Sequence, residues 1–262
     1  MILRQVRWLA ASLAAVAALC LAPASSQAGT QILVQEIDGG GNVIAGTTQI
    51  FASQTNITAT LSNFSSVAIN ANPNSGAVSS LTTTINATPI SVGFDPTIGI
   101  RVIVTSDGFM TPNVGGTAVV TNNASASSAI GGGQNMLTSN TQLLATPLTT
   151  STSDTSNLAA GTNLGAATGA TSDIRPGGGV SPQTTSNITG FPGTFAIQQT
   201  VDVRAINVAA GGIESGSTLG GSASSLVVTT ATPVPAPGGL ALALIGLPLI
   251  GLRRSLRKRA AV

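Results

Sequence analysis

The side chains able to do chemistry are few. The chain of 262 residues has no histidine and no tyrosine, and its one cysteine and one tryptophan, Cys20 and Trp8, stand near its start. Its lysine, Lys258, stands near its end. The body at 29–232 is left with carboxylates, amides, hydroxyls and the arginines Arg101, Arg175 and Arg204. Nucleophilic catalysis of the Ser-His-Asp or Cys-His kind needs a general base that titrates near neutral pH, and the body offers none. Zinc and copper take histidine or cysteine ligands. A paired-carboxylate hydrolase remains compatible with the residue types, but such enzymes usually line a sugar cleft with Trp and Tyr, which the body lacks. The expectation is a non-catalytic protein with no cofactor.

Calcium accepts carboxylate and carbonyl oxygens. Glu36, Asp38 and Asn42 flank a run of three glycines and are the best candidates to converge on such an ion. Asp107 and Asp154 are further acids beside turn-forming residues. None sits in an EF-hand pattern, and Asp and Asn at such places also serve simply as turn formers. No metal ligand is nominated. Asn-x-Ser/Thr triplets occur at Asn56, Asn63, Asn86, Asn123 and Asn187, as expected by chance in so Asn-, Ser- and Thr-rich a chain.

The elements that carry these residues read as strands. Apolar residues alternate with polar ones along 56–63, where Ile57, Ala59 and Leu61 share a face. Ile98, Ile100, Val102 and Val104 do the same in a run that ends at Asp107-Gly108, and Phe195, Ile197, Val201, Val203 and Ala205 do so against Gln198, Thr200, Asp202 and Arg204. Period two is the mark of a half-buried strand. The phase changes at Ile206 and Val208, as at a bulge or strand end. The turn 38–42 joins strands at 31–37 and 43–50 into a hairpin. A second turn, 70–76, joins 65–69 to 78–87. The stretch 122–190 is weaker, with short strands near 136–144 and 157–164 between glycine and serine tracts. Disorder is the competing reading for such a composition, and the Val/Ile alternation decides against it for most of the chain. The body is expected to be all-β: an immunoglobulin-like β-sandwich with long Ser/Thr/Gly-rich loops.

Charge separates the body from the ends. Two arginines precede it and five cations follow it, while all eight acids lie inside it. Against its three arginines this leaves the body at −5, although the full chain is +2. An acidic body without clustered cations is unsuited to nucleic acid, whose phosphates call for Lys/Arg.

Residues 1–28 have the layout of a secretory signal peptide: Arg4 and Arg7, an apolar run from Trp8 to Leu21, Pro23, and Ser26-Gln27-Ala28. Cleavage is expected after Ala28. The apolar run is about 14 residues, short of the roughly 20 of a spanning helix, which disfavours a permanent anchor. Cys20 follows bulky Leu19, unlike a lipoprotein acylation site.

The far end, 233–259, has three parts. Pro and Gly fill 233–239, including Val234, Pro235, Ala236, Pro237, Gly238 and Gly239. Residues 240–252 form an apolar, membrane-spanning helix. Arg253, Arg254, Arg257, Lys258 and Arg259 follow and hold that end on the cytoplasmic side, because cations cross hydrocarbon at high cost. From Gly238 to Leu252 is about 22 Å of helix at 1.5 Å per residue, thin for a core of roughly 30 Å. A span this short suits a helix held transiently for processing.

This order, opposite a signal peptide, resembles the PEP-CTERM sorting signal of Gram-negative bacteria, with Ala236 where the usual Val-Pro-Glu-Pro motif has glutamate. The resemblance covers about the last 30 residues. It implies export by the general secretion machinery, removal of the leader by signal peptidase, an inner-membrane intermediate held by the C-terminal helix, and recognition and cleavage by an exosortase. An LPxTG motif of the Gram-positive kind is absent. The resemblance further implies a non-catalytic protein of the cell surface or exopolysaccharide matrix. The alternative role for the body is a calcium- or glycan-binding adhesin module.

Overall fold

The structure is a computed structural model. It describes residues 29–75, 78–90, 94–110, 116–126, 134–146, 148, 162–175, 178–179, 183–190, 193–206 and 218–230. The leader with Ala28, the acids Asp154 and Glu214, residues 157–161, Val208 and the whole sorting signal 233–259 lie outside the described residues, as do the expected signal and membrane-spanning helices.

The described residues form two antiparallel sheets and no helix. The first four strands are β1 (Thr30–Ile37), β2 (Gln49–Ala52), β3 (Asn56–Ala59) and β4 (Phe64–Asn74). Next come β5 (Val78–Pro89), β6 (Gly99–Met110), β7 (Thr117–Ala126) and β8 (Gln134–Ala145). The chain returns through β9 (Asn163–Arg175), the two-residue β10 (Gly178–Gly179), β11 (Gln183–Thr189), β12 (Thr194–Ile206) and β13 (Leu219–Thr230). One sheet has the order β10-β9-β8-β12-β6-β1-β2 and the other β11-β7-β13-β5-β4-β3.

The pairing is nested. β5 lies beside β13, β6 beside β12, β7 beside β11, and β8 beside β9. From β5 to β8 each strand changes sheet. A ribbon whose outward limb is β5–β8 has therefore been doubled back and rolled up, and it closes where β8 meets β12 and β7 meets β13. That is jelly-roll winding. β1 and β2 extend one sheet beyond β6, and β3 and β4 extend the other beyond β5. The sandwich is as expected; its immunoglobulin-like arrangement is not. An immunoglobulin-like domain sets four strands against three with several same-sheet hairpins. Local strand spacing is the same in both windings, so only the long-range pairing separates them.

One interior lies between the sheets. Ile32, Val34, Val102, Val104, Val201 and Val203 enter it from one side, and Ile69, Ile85, Val120 and Val227 from the other. Phe64, Phe109 and Phe195 are its largest fully buried side chains. A buried seam beside them is polar. Asn122 and Ser139 bond each other across the sheets, Asn122 Nδ2 donating to the Ser139 carbonyl at 2.7 Å and Ser139 Oγ to Asn122 Oδ1 at 2.9 Å. Gln199 Nε2 donates to Ser225 Oγ at 2.7 Å, and Thr141 Oγ1 lies 2.5 Å from the same oxygen. Buried polar groups need such partners. Composition explains the arrangement: with six phenylalanines in the chain, small hydroxyl and amide residues fill the space that large apolar ones usually occupy.

Three local features depart from simple alternation. Strand β6 runs through Asp107-Gly108 instead of ending there. Phe195 pairs with Phe109 but Ile197 pairs with Ser106, so β6 carries one extra residue, and Gly108 has φ of 80°. This is a β-bulge of the kind that takes glycine in the left-handed region. It moves the inward face from Val102, Val104 and Ser106 to Phe109. Strand β4 runs through the expected turn as far as Asn74 and includes Pro73. Ala71 N donates to Thr55 O at 2.7 Å. Pro73 faces the same way past the end of β3, where an N–H would have no ladder partner. Strand β9 starts at Asn163, later than the expected 157, while the strand expected at 136–144 is β8, slightly longer.

Candidate functional site

The three residues around the glycine turn that could have shared an ion do not converge. Alternation along β1 sends Glu36 inward with Ile32 and Val34, where it is fully buried. Asn63 N donates to Glu36 Oε1 at 2.7 Å and Asn63 Nδ2 to Oε2 at 3.2 Å. Thr47 Oγ1 accepts from Glu36 N at 3.0 Å. Glu36 thus clamps the first hairpin to the turn before β4. Charge-assisted hydrogen bonds contribute roughly 1.5–3 kcal/mol each. Glu36→Ala should lower stability by about 3 kcal/mol in urea unfolding followed by circular dichroism, and Asn63→Ala added to it should cost little more. Additive losses would show that the two side chains do not act as a pair.

Asp38 instead shapes its own turn. Its Oδ1 accepts from Asn42 N at 2.8 Å and its Oδ2 from Asn42 Nδ2 at 3.0 Å. Gly41 takes φ of 86° beside it, and Ile37 bridges to Val43, giving the expected hairpin a longer connection to β2. Asn42 faces Asp38 with donors, so the pair offers no oxygen cage. Among the described residues no three acids gather as a metal group. Millimolar calcium against chelator is expected to leave the melting temperature unchanged; a rise of several degrees would overturn the reading of Asp38 and Asn42 as turn formers.

The side-chain bond from Asn42, with the backbone bond from the same residue, holds the Asp38 carboxyl below the usual aspartate range. Thr97 does the same for Asp95, its Oγ1 donating to Asp95 Oδ1 at 2.7 Å and its N at 2.9 Å. A lowered folded-state pKa means that the stabilisation is complete above the unfolded value of about 4 and is lost as pH falls through the folded values. Carboxyl-carbon NMR titration should place both midpoints below about 3.9; midpoints at or above that value would mean these bonds do not persist in solution.

The outer face of the seven-stranded sheet carries a charged cluster. Asp202 on β12 pairs directly with Arg101 on β6. Arg101 Nε donates to Asp202 Oδ1 and Nη2 to Oδ2, each at 2.7 Å, a bidentate fork. These bonds, more than bare attraction, raise the guanidinium above its usual pKa. Arg204 lies 3.7 Å from Asp202 Oδ2 and donates from Nη1 to the Gly39 carbonyl at 2.9 Å. Asp202 and Arg204 were expected on a polar face in water; both are partly covered, and they tie the first hairpin's turn onto the sheet.

The same face holds a row of amides and hydroxyls that the sequence reading missed. Register aligns Gln31, Thr105, Gln198 and Gln142 across β1, β6, β12 and β8. Gln198 Nε2 donates to Thr105 Oγ1 at 3.0 Å. The visible signal was Gln at outward positions of separate strands; only their register makes it a row. An open recess of about 830 Å³ lies at one edge of the sandwich, lined by groups such as Thr30, Ser53, Asn56, Asn70 and Asn72 and, among the described residues, by no aromatic ring. The sorting residues Val234–Gly239 and Arg253–Arg259 and the cleavage residue Ala28 fall outside the described residues.

No protein-family profile matches the chain, and no curated protein matches it in sequence. Among solved structures, the enzymatically active domain of tailspike protein 4 from bacteriophage CBA120 is similar over 63% of this chain at 11% identity and a TM-score of 0.24. This chain spans 19% of that one. The mannan-recognising carbohydrate-binding module TmCBM27 is similar over 76% of this chain and 99% of its own, at 12% identity and a TM-score of 0.24. Overlap this slight carries no argument about fold or activity, and the architecture above rests on the strand order.

Proposed function

We propose that the chain is a non-catalytic exported protein of the cell surface or exopolysaccharide matrix. In this reading 1–28 is a leader removed by signal peptidase, 29–232 is the exported body, and 233–259 is a sorting signal cleaved by an exosortase after a stay in the inner membrane. One observation carries it on the side of the body. Each acid whose side chain is described has a structural partner: Glu36 with Asn63, Asp38 with Asn42, Asp95 with Thr97, Asp107 with Gly29 N, and Asp202 with Arg101. Carboxylates so engaged build a scaffold rather than an acid–base pair, which leaves the address at the C-terminus as the element that acts. Intact-mass measurement on protein extracted from the cell surface tests this. The expected mass lacks 1–28 and the residues beyond the Val234-Pro235-Ala236-Pro237 motif. A protein that keeps its tail in the inner membrane, or that is unchanged when the exosortase is deleted, would overturn it.

A second reading, glycan binding by the body, is favoured by the amides of Gln31, Gln198 and Gln142 in that row, since planar amides match sugar hydroxyls. Calorimetric titration with the matrix polysaccharide should give saturable binding that Gln142→Ala weakens without changing the melting temperature. Absence of saturable binding would remove this reading and leave the first intact.

A further inference from the structure

The first described residue already touches a carboxylate. Gly29 N donates to Asp107 Oδ1 at 2.6 Å, and Asp107 N donates back to the Gly29 carbonyl at 3.0 Å. The two residues continue the β1–β6 ladder one step past Thr30 and Ser106. Three independent features prepare this contact. The β6 bulge, made possible by Gly108 at φ of 80°, re-aims the chain at Asp107. A Cβ built on Gly29 would lie 2.9 Å from Asp107 Oδ1, so a larger residue here would push the carboxylate aside. A recess of about 80 Å³ adjoins the pair, lined by Thr30, Gln31, Ser53 and Thr105. Among the described residues no arginine pairs with Asp107.

We infer that Asp107 is the receptor for the α-ammonium group that leader cleavage creates on Gly29. The inference rests on the export reading above. Cleavage is a hydrolysis: water adds its hydroxyl to the Ala28 carbonyl carbon, the Ala28–Gly29 C–N bond breaks, and nitrogen takes the hydrogen. At neutral pH most of the resulting amine, with an ordinary pKa near 8, takes a further proton. Before cleavage the nitrogen is an uncharged amide with one hydrogen for Asp107. Afterwards it is a cation with three, at the same place. A carboxylate that held a neutral N–H then faces a full positive charge, so the hydrogen bond becomes an ion pair with both partners charged. The precursor is thereby the less stable form, and processing fastens the first strand to β6.

Two measurements separate the premise from the inference. Stepwise N-terminal sequencing of the exported protein should begin Gly-Thr-Gln-Ile; a different start would sink the cleavage reading and this inference with it. On protein that does start at Gly29, the amine is acetylated. Because the body contains no lysine, the reagent finds a single amine there, and any Lys258 left on an unclipped tail is modified alike in every background. Acetylation restores the precursor's amide. It should lower the folding equilibrium constant about fivefold in the native protein, the upper range for a partly exposed ion pair. In Asp107→Asn, which keeps an oxygen acceptor at Oδ1, it should have almost no effect. Equal effects in both backgrounds, or none in either, would overturn the inference. Gly29→Ala, with its Cβ crowding the same oxygen, should show a reduced acetylation effect while still folding; an undiminished effect would also count against it.

Discussion

Phe195→Ala is expected to lower stability by about 4 kcal/mol, among the largest losses a single truncation can cause here. Phe195 is fully buried and lies directly opposite Phe109 on the neighbouring strand. The rings are stacked, with centroids 5.5 Å apart and 26° between planes. Truncation removes the transfer free energy of the ring, leaves a cavity that the sheets on either side cannot collapse into, and forfeits the ring pair, itself worth roughly 0.5–1.5 kcal/mol. For a body of this size each kcal/mol is about 2–4 °C of melting temperature, so the midpoint should fall by roughly 8–16 °C. The body has no Trp or Tyr, so calorimetry or far-ultraviolet circular dichroism is the suitable reporter. Phe109→Ala should cost a similar amount, and the double variant clearly less than their sum, because the second truncation enlarges a cavity already made. A loss near 1 kcal/mol for Phe195→Ala would mean that the bulge does not bring Phe109 inward as described.

Gly221→Val is expected to cost at least about 3 kcal/mol. Judged by strand propensity alone the change should help, since valine is favoured in strands and glycine weakens them. Position decides the sign. Gly221 lies on β13, the strand between β7 and β5, and a Cβ there would stand 2.4 Å from the Ser125 carbonyl oxygen and 2.5 Å from Leu137 Cδ1. Ser125 belongs to the adjacent strand and Leu137 to the opposite sheet; Leu137 can change rotamer, but relief from the carbonyl needs the ladder to shift. A Cβ on its neighbour Gly220 would collide with the Ile85 carbonyl oxygen on the other flank. Gly221→Ala should already destabilise measurably in urea unfolding. An alanine variant as stable as the native protein would show that β13 sits further from its neighbours than described.

Local pattern matches the facing of side chains where apolar and polar residues alternate. Val102 and Val104 face inward and Arg101 outward, and Val201 and Val203 face inward against Asp202 and Arg204. Asp38 and Asn42 are the turn formers that their residue types allow. The stretch 122–190 was harder for a physical reason. On β8 the inward positions are Asn135, Leu137, Ser139, Thr141 and Leu143, so the buried face is mostly polar. Apolar alternation does not mark a face whose amides and hydroxyls are partnered by other strands, Asn122 on β7 and Gly220 and Ser225 on β13. Asp107-Gly108 misled for a related reason: a glycine suited to positive φ serves a turn or a bulge equally well, and the choice depends on whether β12 is present to pair with both sides.

The residues able to do chemistry pointed from the outset to a body without a neutral-range base, and nothing beyond residue type was needed for that. Period-two patterning by itself determined that the body is made of strands, and the tripartite end by itself carries the resemblance to a sorting signal, because both are properties of neighbours along the chain. Tertiary structure decided the rest. It separated Glu36 from Asp38, joined Arg101 to Asp202 across 101 residues, brought Asp107 to Gly29 N, and wound the strands as a jelly roll. Each of these depends on which distant strands pair and in what register, and the free energy that selects the register comes from contacts between sheets rather than from any local run of residues.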